Sequence, residues 1–139
     1  MKKGSLYYYI NDKNDLLKGL VEDVLQEILE EGRNIQRTRH DPPEKLRLAI
    51  ASPLRLFMIH RHVFGIFLNE ELAMLNDFSD ANIFDLMKTY DRVMMEILQE
   101  GIDKGDFRPD LDIKLTVFGI FGMCNYTYKW YDPAGELPL

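Results

Sequence analysis

A single cysteine, Cys124, occurs in the 139 residues, so no disulfide can form within the chain. That usage fits a reducing, cytoplasmic compartment. Long apolar runs are also missing. The nearest, Leu115 to Cys124, falls far short of the roughly 20 residues that a membrane span needs, so no membrane partner is expected. Leu6 to Ile10, behind Met1-Lys2-Lys3, is too short and too rich in tyrosine for a secretion signal. Basic charge is scarce: 17 Lys and Arg stand against 23 Asp and Glu, a net of −6. A chain wrapped as a whole around nucleic acid is therefore excluded, but a small basic tip on an acidic body is not. No stretch alternates with period two among β-branched residues, which argues against a sheet.

Motifs of catalysis are missing too. There is no glycine-rich phosphate loop, no nucleophile elbow and no zincin pair, so the chain reads as no enzyme, with no cofactor. His60 and His62 are spaced i, i+2 and point to different sides of a helix, so they make no metal site. Glu70-Glu71 reads as a solvated face. Cys124, amid aromatics, reads as a small buried hydrophobe rather than a nucleophile.

What is present is helical periodicity over a hydrophobic content of 46%, ample for a core. A stripe of Leu16, Leu17, Leu20, Val21, Val24, Leu25, Ile28 and Leu29 predicts a helix from about Lys13 to Glu31. Asp12 is its expected cap and Gly32 its expected stop. Asp41-Pro42-Pro43-Glu44 is a strong start signal: a cap, proline in the first turn and an acid beside it. The helix behind it holds Pro53, which should kink it, and His60-Arg61-His62 marks a break. A shorter helix is expected from Val63 to Leu75, a loop over Asn76 to Ser79, then a long helix to about Lys104 ended by Gly105. The last helix, about Asp112 to Tyr131, is apolar around most of its circumference. One side should face its own core and the other a partner subunit, with Phe118, Gly122, Tyr126 and Trp130 at the interface.

Two strings carry a resemblance. Lys3-Gly4-Ser5-Leu6-Tyr7-Tyr8-Tyr9-Ile10, followed by Asn11-Asp12-Lys13-Asn14-Asp15-Leu16-Leu17, resembles the recognition helix of the TetR family and the start of the helix after it. Gly119 to Tyr131, with Asn125-Tyr126 and Trp130-Tyr131 before Asp132-Pro133-Ala134-Gly135, looks like a late helix of TetR-type regulators of fatty-acid or steroid catabolism. The resemblance implies an all-α fold: the end of a helix-turn-helix in residues 1–12, then a connecting helix and a ligand-binding, dimer-forming bundle in residues 13–139. It implies a ligand-relieved transcriptional repressor whose partners are operator DNA, a small apolar effector and a second copy. Operator binding is expected of the full-length protein only, because a helix-turn-helix needs an earlier helix and turn.

By that resemblance Lys3, Ser5, Tyr7 and Tyr8 meet the groove or backbone, and Tyr9 and Lys13 hold phosphates. Local charge agrees. Lys2, Lys3, Lys13 and Lys18 face Asp12 and Asp15 within residues 1–20, a net of +2, whereas residues 21–31 carry five acids and no base. The family bundle encloses an apolar cavity, which implies effector contacts from Phe57, Phe64, Phe67, Met87, Tyr90, Met94, Phe121 and Asn125. Each aromatic or methionine taken singly is as well explained as core. An acyl-coenzyme A is the expected effector, and Arg61 beside a histidine could meet its phosphates. Two other readings stay open: a multidrug-type regulator that binds aromatic cations, and a helical interaction module that never touches DNA.

Overall fold

A computed structural model describes the backbone of residues 13–74 and 81–138, and the side chains of residues 15–67 and 82–138. The groove- and phosphate-facing set Lys3 to Tyr9, the cap Asp12, the side chain of Lys13 and the expected loop Asn76 to Ser79 lie outside these residues. Among the described residues five helices follow one another: α1 Lys13–Arg37, α2 Pro42–Ile59, α3 Arg61–Met74, α4 Ala81–Asp103 and α5 Ile113–Trp130. No strand occurs among the described residues, and the all-α expectation holds.

Helix starts follow the local chemistry. Asp41 adopts extended backbone and its carboxylate accepts from the Glu44 amide at 3.0 Å, with proline in the first turn. Asp112 does the same for the Leu115 amide at 2.9 Å. These caps satisfy donors that a helix leaves open at its start. At the other ends, His60 closes α2 by returning its amide to the Leu56 carbonyl at 3.0 Å. Gly105, with φ of 79°, supplies the left-handed residue after α4.

α1 corrects the expected stop at Gly32: the helix continues to Arg37. Glycine is there because α4 comes close. A Cβ on Gly32 would lie 2.7 Å from Cε2 of the Tyr90 ring. A glycine behind an apolar stripe reads the same in sequence whether it ends a helix or admits a neighbour.

α1 packs on α2, α3 and α4, and α5 packs on α2 and α4. The α2–α4 pair thus carries the connector on one flank and α5 on another. The core between them is built from Val24, Ile28, Leu29, Ala49, Leu56, Phe64, Tyr90, Val93, Met94, Ile97, Leu98, Val117, Ile120 and Cys124.

Two substitutions test this packing. Gly→Ala in an open helix gains about 1 kcal/mol from propensity. At Gly32 the added methyl meets a fixed ring, and overpacking of that kind costs about 1–3 kcal/mol, so Gly32→Ala should lower the urea midpoint. Asp41→Ala should cost about 1 kcal/mol, and Asp41→Asn should recover most of it.

Candidate functional site

The expected effector residues fall into three groups. Phe57 and Phe64 meet edge to face, with centroids 4.4 Å apart, where α2 and α3 join. Tyr90 and Phe121 meet at 5.5 Å between α4 and α5. Phe64, Tyr90 and Met94 are buried, and Phe57, Phe67 and Phe121 pack against them, so these six share one apolar cluster. Asn125 is half-buried on the flank of α5. Met87 does not join the cluster; it sits 38% exposed on α4. The inward face of α4 runs through Ile83, Tyr90, Val93, Met94, Ile97 and Leu98; Met87 shares that helical phase but stays partly open.

Tyr90 stands at the centre of the bundle. Its ring touches Gly32 of α1 and Phe121 of α5. Its hydroxyl donates to the carbonyl of Ala49 in α2 at 2.7 Å. That carbonyl lies four residues before Pro53, which has no N–H to return to it. The tyrosine therefore satisfies an acceptor that its own helix leaves open. Burial pushes the Tyr90 phenol up, with Cys124 and Glu31 adding to the shift.

Polar bonds absent from the sequence reading hold α1 to its neighbours. Lys45, only 5% exposed, donates to the Gln36 carbonyl near the end of α1 at 2.9 Å and to Glu100 of α4 at 2.9 Å. Lys104 takes the other oxygen of Glu100 at 2.8 Å. Two helical turns further along α2, Ser52 donates to Glu31, and Arg55 grips both Glu31 oxygens at 2.7 and 3.0 Å. A signal for these was in the sequence. Lys45, Ala49, Ser52 and Leu56 recur at three- and four-residue steps on the buried face of α2, so a lysine and a serine there needed partners.

These bonds shift the acids. Burial raises the Glu31 carboxyl, but the bonds from Ser52 and Arg55 outweigh it and hold the group below its ordinary value. Lys104 and Lys45 hold Glu100 below its ordinary value. Arg47 does so for Glu44. Burial raises the Cys124 thiol and the Asp91 carboxyl.

Two open grooves flank α2. One, of 640 Å³, lies against α1 and is lined by Glu31, Ile35, Leu48, Ala51, Arg47 and Arg55, among others. The other, of 420 Å³, lies against α5 and is lined by Ile50, Leu54, Ile120, Met123, Tyr126 and Trp130, among others. Both volumes fall within the range of about 300–1,000 Å³ usual for small-molecule sites. The six clustered residues line neither of these grooves.

α5 has two faces. Val117, Ile120, Cys124 and Thr127 are buried. The four expected interface residues are all exposed: Phe118 at 49%, Tyr126 at 59%, Trp130 at 56%, and Gly122 with open space where a Cβ would be. Leu115 and Met123 extend the same apolar surface. Burial on every side thus fails within one chain. Among the described residues, no group of three or more His, Cys, Asp or Glu could hold a metal ion. No described helix is long and apolar enough to cross a membrane.

Comparison with known proteins covers the same helices. Residues 39–139 match the family model for the tetracyclin repressor-like C-terminal domain. The HTH-type transcriptional repressor KstR2 of Mycolicibacterium smegmatis (strain ATCC 700084 / mc(2)155) is 30% identical over 135 residues, which is 96% of this chain and 65% of that protein. The chain thus spans slightly less than two thirds of that relative. The solved ketosteroid transcriptional regulator KstR2 of Mycobacterium tuberculosis superposes with a TM-score of 0.83 at 26% identity, over 99% of this chain and 70% of that one. The structure of AibR in complex with isovaleryl coenzyme A and operator DNA superposes with a TM-score of 0.76 at 26% identity, over 99% of this chain and 74% of that one.

Acid should unfold the protein through the paired carboxylates. A carboxyl held low in the folded state stabilises fully above its unfolded value, and the benefit is lost as pH falls through the folded value. Glu31, Glu44 and Glu100 share the ordinary value of 4.5, so urea midpoints should fall as pH drops below it. Glu100→Gln should lower the midpoint at pH 7 and flatten that slope.

Proposed function

This chain belongs to the TetR family, and on that premise we propose that it is the effector-binding, dimer-forming part of a ligand-responsive transcriptional repressor. The observation that carries the reading is the exposed apolar stripe of α5. Phe118, Gly122, Tyr126 and Trp130 follow one another four residues apart, a surface that a second copy would cover. Residues 1–12 would supply the end of the recognition helix, with Lys3, Ser5, Tyr7, Tyr8, Tyr9 and Lys13 toward DNA. α1 runs unbroken from Lys13 to Arg37 and packs on α2, α3 and α4.

The effector is an acyl-coenzyme A. What supports this is the likeness to AibR, which was solved with isovaleryl coenzyme A, together with the apolar groove of 420 Å³ beside Tyr126 and Trp130. Its acyl chain would reach the cluster of Phe57, Phe64, Phe67, Tyr90, Met94 and Phe121, with Met87 and Asn125 at the margin. Occupation would shift α1 and thereby the spacing of the two recognition helices, a spacing that DNA half-sites fix rigidly.

Two measurements check this. In a thermal-shift series with acyl-coenzyme A esters of rising chain length, stabilisation should grow with length and reach about 2.7 kcal/mol at a hundredfold excess over Kd. A response to aromatic cations alone would instead mark a multidrug-type regulator. Light scattering should give twice the chain mass for the protein and the single mass for Tyr126→Glu. A wild-type protein of single mass would remove the dimer.

A further inference from the structure

α1 and α5 lie on different flanks of the α2–α4 pair, yet one side chain touches all of them. Tyr90 belongs to α4. Its ring edge fills the space over Gly32 in α1. Its ring meets Phe121 of α5 with centroids 5.5 Å apart. Its hydroxyl closes the Ala49 carbonyl of α2 at 2.7 Å. That last bond has a cause in the sequence: Pro53 is the residue that leaves the carbonyl without its helical donor. A buried carbonyl without a partner is unfavourable, so the hydroxyl is held in one place, and with it the ring on which α1 rests.

We propose that Tyr90 is the positioning residue that couples the bundle to the connector: its hydroxyl, tied to the proline-orphaned Ala49 carbonyl, sets where α1 lies. A molecule seated against Phe121 would act on α1 by moving this ring, not by touching α1. Tyr90 is thus a relay rather than a polar contact for the effector, because its hydroxyl is already committed. The inference rests on the proposed effector reading for the purpose of the coupling. The coupling itself can be measured without any effector.

The experiment is amide hydrogen exchange on the 139-residue chain as wild type, Tyr90→Phe, Pro53→Ala and the double variant, all without ligand. Tyr90→Phe keeps the ring and removes only the donor. Exchange should quicken by about tenfold in α1 around Gly32 and in α2 around Pro53, the scale of one net hydrogen bond. Distant amides in α5 should change little. In the Pro53→Ala background the new amide at position 53 can serve Ala49, so adding Tyr90→Phe should change exchange less than twofold. Equal quickening in both backgrounds would overturn the assignment, as would a uniform rise through all helices. If Tyr90→Phe alone fails to fold, recovery of a folded double variant supports the same coupling, and failure of both overturns it. A parallel titration of the wild type with lauroyl-coenzyme A keeps the two readings apart. Absence of binding there counts against the proposed effector, while the ligand-free comparison still decides the role of Tyr90.

Discussion

One carbonyl that its own helix cannot satisfy organises the middle of this bundle. Pro53 interrupts the donor ladder of α2, and the partner for Ala49 has to come from another helix. α4 provides it through Tyr90, and the position of that ring dictates the rest. Gly32 must lack a side chain, α1 can then lie close, and Phe121 of α5 can meet the ring from its own side. A backbone defect in one helix thereby fixes the relative placement of three others. Apolar burial alone is non-directional and would tolerate small slides of α1 along α4. The tyrosine hydroxyl supplies the direction.

Polar anchors extend the same logic along α1. Glu31 is gripped by Ser52 and Arg55, and the Gln36 carbonyl is held by Lys45, which also engages Glu100. Lys45 is nearly buried, so its charge is costly to place there unless carboxylate and carbonyl both face it. The C-terminal half of α1 is thus fastened by directional bonds.

Much of this was legible in the sequence, and the failures are informative. Capping chemistry is local, so Asp41 and Gly105 announced their helix ends directly. The apolar circumference of α5 announced two audiences, and the chain buries only one of them. Gly32 was misread because a stop and a close approach use the same residue for different reasons, and only the neighbour decides. Met87 shares the phase of Ile83, Tyr90 and Met94, and phase alone does not say how much of an inward position its neighbours cover. Lys45 and Ser52 were passed over as polar residues, though their phase placed them inside. The partnership of Tyr90 with Ala49 spans 41 positions and obeys no local rule, although Pro53 marked in advance which carbonyl would need a donor.

The outer face of α1 bears on how the body meets other large anions. Glu22, Asp23, Glu27 and Glu30 lie along it at exposed or half-exposed positions, with no basic residue among residues 19–32. Any polyanion that approached side-on would have to share its counterion atmosphere with this acidic rail. The release of condensed ions, which drives most non-specific association with nucleic acid, would have nothing to gain there. The rail therefore acts as a fender along residues 22–30, where it disfavours side-on approach by polymers of its own sign.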